Sequence, residues 1–194
     1  RETKLHIVAD TTQKEEFVAA VRAFEAQVKT ELATKDPDFC VTIKECGEGT
    51  QAAVCGNELG VLAAFLNSLP NGVQGMSADM PGLVETSLNL GILKLERGGL
   101  QAGFSVRSSV ESCKNALIEQ LMAVVVLAGG EAEVRGDYPG WAYRVNSPLR
   151  EKMIALYGEM YGEEPKVEAI HAGLECGLLA GKIRDLDCVS FGPN

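Results

Sequence analysis

The chain has 194 residues, 46% hydrophobic and 23% charged, a balance that excludes a disordered or low-complexity polypeptide and allows one large or two small cores. Its 27 acidic and 18 basic residues give a net charge of −9, which opposes phosphate backbones and anionic membranes and argues against nucleic acid or lipid as a partner. No apolar run approaches the ~20 residues that span a bilayer, and no basic-then-apolar leader opens the chain, so a soluble protein is expected.

In chain order, Leu5, Ile7 and Ala9 alternate with more polar neighbours, the pattern of a short half-buried strand. Asp10, Thr11 and Thr12 offer helix caps with Glu15 in reach of a capping box, and Phe17, Val21, Phe24, Val28 and Leu32 then recur every three or four residues. That helix should stop before Asp36-Pro37-Asp38. A second strand is predicted over 39–43. After a glycine turn at 47–49, a helix follows with Cys55, Leu59, Leu62, Leu66 and Leu69 on one face, ended by Pro70-Asn71-Gly72.

From 84 to 92, Val84, Leu88, Leu90 and Ile92 alternate with Glu85, Ser87, Asn89 and Gly91. Leu100, Ala102, Phe104 and Val106 alternate in the same way with Gln101, Gly103, Ser105 and Arg107, so the two runs form a hairpin with one polar face. With Gly98-Gly99 as the loop, simple pairing would set polar Arg107 opposite apolar Leu90. The first strand changes phase after Ile92, so a one-residue bulge is expected just past Gly91, setting Phe104 against Ile92, Val106 against Leu90 and Arg107 against Asn89. Ser108 and Ser109 should begin a third helix with Val110, Leu117, Leu121 and Val124 or Val125 inward, closed by Gly129-Gly130 before a strand at 131–135. This order predicts an α+β fold, an antiparallel sheet with helices on one face in the ferredoxin-like manner. A domain joint is placed near Tyr138-Pro139-Gly140-Trp141, dividing the chain into 1–137 and 138–194, with Trp141, Tyr138 and Pro139 packing at the joint. The second part reads as an incomplete α/β segment: a helix over Pro148–Tyr161, a strand over 167–170, a short helix after Gly173 and a strand over 188–191.

Six cysteines, Cys40, Cys46, Cys55, Cys113, Cys176 and Cys188, are scattered with no C-x-x-C pair and only His6 and His171 beside them. They read as reduced, buried thiols of a reducing compartment rather than a metal site or a disulfide framework. His6 alternates with apolar neighbours, is expected to be exposed, and is given no role.

Three stretches together resemble the Xaa-His (aminoacyl-histidine) dipeptidases, zinc peptidases related to the carnosinases. They are 69–73 with Gly82-Leu83-Val84-Glu85-Thr86-Ser87-Leu88-Asn89-Leu90-Gly91, then Val106-Arg107-Ser108-Ser109, and Tyr138-Pro139-Gly140-Trp141 with Ile170-His171-Ala172-Gly173-Leu174-Glu175-Cys176-Gly177 and Ser190-Phe191-Gly192-Pro193. The resemblance implies a cytoplasmic enzyme with two zinc ions in a catalytic domain and an inserted lid domain. Residues 1–137 would be that lid and 138–194 a piece of the catalytic domain. It also implies that the zinc ligands lie outside this chain. Neither catalytic nor metal-ligating residues are therefore expected within it, and on its own it should not hydrolyse peptides.

For substrate binding the resemblance points to Arg107, whose guanidinium can hold a carboxylate through two parallel hydrogen bonds. The plain alternative is a surface arginine paired with Glu85 or left in water. Asn89, beside it, would orient it or touch substrate, or else serve only cross-strand bonding. His171, Gly173 and Glu175 lie at a strand-to-helix junction where backbone N–H groups can receive an anion, a loop that faces substrate in related peptidases. A structural role for His171 and a helix cap at Glu175 are the alternatives. The competing functional reading is a non-catalytic lid that pairs with a second copy as a homodimer.

Overall fold

The computed structural model describes residues 2–49, 52–171 and 175–192. The chain divides into two compact units, Arg1–Leu59 and Gly60–Asn194.

In the first unit, Asp10 accepts hydrogen bonds from the Thr12 backbone N–H (2.9 Å) and hydroxyl (2.7 Å), capping a 3-10 turn over Thr11–Gln13. That turn runs into α1, Lys14–Leu32, so the cap lies where expected but no capping box to Glu15 closes it. The strand expected over 39–43 has the right burial and no ladder: Phe39, Val41 and Ile43 are half-buried while Cys40, Thr42 and Lys44 are exposed. Side chains of α1 satisfy its backbone instead. Glu25 accepts from the Val41 N–H at 3.0 Å, and Arg22 donates to the Val41 carbonyl at 2.8 Å. Glu25 is 9% exposed and is also paired with Arg22 (2.6 Å) and Lys29 (3.1 Å). The Val41 hydrogen bond, then Arg22 and Lys29, pull its carboxyl from 4.5 down to about 2.

Helix α2, Asn57–Ser68, lies mostly in the second unit, and Gly72 at φ +85° ends the connection to the sheet in the left-handed region that glycine adopts without strain. The sheet has three antiparallel strands in the order β1-β2-β3: β1 Gly72–Met76, β2 Val84–Glu96 and β3 Gly99–Ser108. The α+β fold is as expected, whereas β1, with two glycines in five residues and no apolar alternation, was not foreseen. Beyond the end of β1, the Asn71 side chain takes the next free donor of β2, the Leu90 N–H, at 3.0 Å.

The hairpin carries its bulge at Gly91, where the register shifts between Leu90 and Ile92. The turn is Arg97-Gly98 rather than Gly98-Gly99, since Glu96 pairs with Gly99, the first residue of β3, whose φ is +135°. Each arm therefore slides by one residue relative to the expected pairing. Phe104 faces Leu90, Val106 faces Leu88, and Arg107 faces Ser87 instead of Asn89. Thr86 and Ser108, opposite one another and both buried, share a 2.8 Å hydrogen bond.

Ser108 stays in the strand, and its hydroxyl accepts from the Val110 N–H at 3.1 Å. Helix α3 starts later than expected, at Glu111–Leu127, packs on β3 and ends where Gly129 (φ +74°) lets Gly130 N–H return to the Val125 carbonyl. The buried Lys114 of α3, 4% exposed, donates to Asp137 (2.7 Å) and the Tyr138 carbonyl (3.0 Å) and pairs with Glu111 at 3.0 Å. Burial opposes its charge, yet Asp137 and Glu111 outweigh that and raise its pKa. The segment so held passes closer still at Gly140, where an added Cβ would lie 2.6 Å from the Ser108 carbonyl oxygen and 2.7 Å from that of Ser109. Trp141 is half-buried beside Gly177.

Helix α4 spans Pro148–Tyr161 as predicted, with Pro at its start and Gly162 (φ +77°) at its end. Its N-cap Ser147, only 2% exposed, donates to Asp187 at 2.7 Å and accepts from Arg150 N–H, while Asp187 also accepts from Leu149 N–H at 2.9 Å. These bonds hold the Asp187 carboxyl below the usual range. Helix α5 is Glu175–Lys182.

The strands expected over 5–9, 131–135, 167–170 and 188–191 are not formed among the described residues, since none of these segments has a ladder partner. The cysteines are all free, but the expectation of burial fails. Cys40, Cys46 and Cys55 are exposed and the other three half-buried. Among the described residues only Leu88 and Leu117 are fully buried apolar side chains.

Gly140→Ala should lower stability by about 1–3 kcal/mol, because backbone oxygens rather than flexible side chains must move, and a urea melt measures it. Glu25 has a depressed folded pKa, so its contribution is present above 4.5 and is lost as pH falls from there towards about 2. Acid unfolding of Glu25→Gln, followed by circular dichroism, should lack that part of the transition.

Candidate functional site

Alternation along β2 and β3 sends Thr86, Leu88, Phe104, Val106 and Ser108 to the packed face and Glu85, Ser87, Asn89, Ser105 and Arg107 to the other. Arg107 is exposed and makes no ion pair among the described residues, so of the two plain alternatives the pairing with Glu85 does not occur, whereas an arginine left in water agrees with its exposure. Directly across the ladder from it, Ser87 is hydrogen-bonded through Oγ to Nε2 of His171 at 2.7 Å. His171 is half-buried. Burial first, and then the Arg107 charge, push its pKa below the ordinary 6.5, which favours the neutral ring.

Asn89 is half-buried opposite Ser105, on the same face and diagonal to Arg107. Its amide nitrogen lies 3.5 Å from where a Cβ on Gly91 would be, an ordinary contact distance. Glu175 opens α5 and is exposed, and its charge acts on Cys176, whose thiol is raised by burial, then by Cys188 and Glu175. Gly173 lies outside the described residues. The structure thus gathers Arg107, Asn89 and His171 at one polar face and leaves Glu175 without a hydrogen bond to them. His6 is exposed.

Ser87 is the member of this group to which sequence reasoning gave no role. Its signal was only its place between Glu85 and Asn89 in the polar row, and the contact partner lies 84 residues away. Among the described residues no three His, Cys, Asp or Glu side chains come together as a cation cage, so the donor set does not fit a zinc centre. No helix among them is long and apolar enough to cross a membrane.

The three-stranded antiparallel sheet with α3 packed on β3 matches a segment of a dipeptidase of known structure, and the sequence is similar to that of a second dipeptidase. It is 32% identical over 173 residues to the cytosol non-specific dipeptidase of Escherichia coli (strain K12), a match that covers 89% of this chain and 36% of that protein. Its fold matches the crystal structure of aminoacylhistidine dipeptidase from Vibrio alginolyticus with a TM-score of 0.86 and 33% identity, over 94% of this chain and 37% of the other. The chain therefore spans little more than a third of the length of the relatives it matches. No family model matches it.

Removing the guanidinium removes a cation that disfavours the imidazolium. Arg107→Ala should raise the titration midpoint of His171, read from its ring proton shifts by NMR. An unmoved midpoint would place the two side chains beyond electrostatic reach of each other.

Proposed function

We propose that this chain is the substrate-facing part of a cytoplasmic zinc dipeptidase that hydrolyses dipeptides ending in histidine, with residues 1–137 as lid and 138–194 as part of the catalytic domain. The observation that carries this reading is the likeness in sequence and fold to two dipeptidases over nine-tenths of the chain. Zinc, when bound, would polarise the scissile carbonyl and activate water. Its ligands would come from outside these residues.

What this chain supplies is recognition. Arg107 is exposed on β3 with no ion-pair partner among the described residues, so its fork of N–H groups can hold the terminal carboxylate of a dipeptide. Asn89 offers an amide on the same face, and His171 offers an imidazole whose pKa is lowered by burial and then by the Arg107 charge. Gly173 and Glu175 would line the junction that follows. A dipeptide is small enough that fixing its carboxylate fixes the position of its one peptide bond relative to the metals.

In the enzyme that carries this segment, Arg107→Ala should reduce kcat/KM for dipeptides by about tenfold to a hundredfold, the effect of losing hydrogen bonds to a charged group. The loss should be far smaller for a substrate with an amidated C-terminus. Equal losses on both substrates, or none, would remove Arg107 from carboxylate binding.

A further inference from the structure

We propose that Ser87 is a positioning residue that fixes both the place and the tautomer of His171, so that the imidazole and Arg107 present their N–H groups to the same carboxylate. The proposal rests on the carboxylate reading above for what those donors hold, but the positioning itself stands on geometry.

Ser87 and His171 are 84 residues apart and meet at 2.7 Å. Ser87 is also the ladder partner of Arg107. A ring tied to the Ser87 hydroxyl is thereby placed next to the arginine on the polar face of β2. A bare hydrogen bond is what this position requires. Had the ring been tied instead to Glu85, the neighbouring carboxylate on that face, its pKa would be raised, and an imidazolium beside Arg107 would be repelled. A hydroxyl adds no charge, so the ring can remain neutral, half-buried and adjacent to a guanidinium.

Neutral imidazole has one donor and one acceptor nitrogen. Burial and the neighbouring cation favour the neutral ring, and in the proposed arrangement Ser87 donates its hydroxyl proton to Nε2, which leaves the ring proton on Nδ1. The site then holds two kinds of N–H donor, from the guanidinium and from Nδ1, and the one acceptor nitrogen of the ring is taken by Ser87. That set matches a carboxylate, which only accepts. A free ring prefers the opposite tautomer, so the assignment has a signature that mere packing of His171 would lack.

The test uses the whole chain, labelled with nitrogen-15 in histidine. Its two histidines make His6, exposed and remote in sequence, an internal control. Long-range proton–nitrogen spectra should show His171 in the Nδ1–H form and His6 mainly in the Nε2–H form. Ser87→Ala should return His171 to the His6 pattern and raise its titration midpoint, because the released ring regains water and moves away from Arg107. Ser87→Thr, which keeps the hydroxyl, should preserve the original pattern. Ser87→Cys, close in size with a weak donor, should behave as Ser87→Ala and serves in its place if the alanine variant does not fold. Finding His171 in the Nε2–H form, or unaltered in both Ser87→Ala and Ser87→Cys, would overturn the proposal. Amide-insensitive kinetics of Arg107→Ala in the full enzyme would instead remove the ligand while leaving these spectra as described, so the two failures are distinguishable.

Discussion

The ladder between β2 and β3 slips by one residue between Leu90 and Ile92, and that slip decides which side chains share a face over the whole hairpin. Side chains on a strand alternate strictly, so without the extra residue at Gly91 the apolar row on one side of the bulge would meet the polar row on the other. With it, Leu88 is buried opposite Val106 while Ser87 and Arg107 stand together on the open face. The turn at Arg97-Gly98, with Gly99 at positive φ beside it, fixes the register of the two arms. A guanidinium, a hydroxyl and an imidazole are thus brought together by backbone geometry two strands deep, and none of the three would find the others through its own local sequence.

Around that hairpin the chain is held largely by polar fasteners. Lys114 reaches from α3 to Asp137 and Tyr138, Asp187 closes the start of α4 through Ser147 and Leu149, and Thr86 meets Ser108 inside the sheet. Each fastener joins segments far apart in sequence. The Lys114 charge is the costliest to bury, and the arrangement tolerates it because Asp137 and Glu111 remain largely exposed, at 62% and 53% of their side chains, and bring solvent to the pair. The approach of Gly140 to the Ser108 and Ser109 carbonyls lies beside the same junction, so the end of the site-bearing strand is fixed from two directions.

Helices were legible wherever local chemistry was decisive: Asp10 before α1, Pro148 and Gly162 around α4, and Gly129 after α3. The hairpin and its bulge were legible because alternation changes phase at a glycine. The register was not, because Gly98 and Gly99 are equally able to take positive φ and only the folded chain chooses between them. Segments such as 39–43 carry the alternation of a strand, and the structure keeps their burial, but a strand also needs a neighbour. For Val41 the neighbour is a helix offering Glu25 and Arg22 in place of a ladder. Of the site, Arg107 and Asn89 could be placed on one face from pattern alone, whereas the tie to His171 depends on a contact across 84 residues that no local pattern encodes.

Leu88 and Leu117 are the fully buried apolar side chains among the described residues, and large ones such as Leu93, Val126, Met160 and Ile183 stay in water. The heat-capacity increment of unfolding follows the hydrocarbon surface newly wetted, about 12–15 cal/mol/K per residue in ordinary domains. This chain, little more than a third of the length of the relatives it matches, hides so little of it that on its own it carries a smaller increment, and its free energy bends only weakly with temperature. Cooling would weaken it less than it weakens a protein with an oily interior, while the denaturant dependence of its unfolding would be shallow.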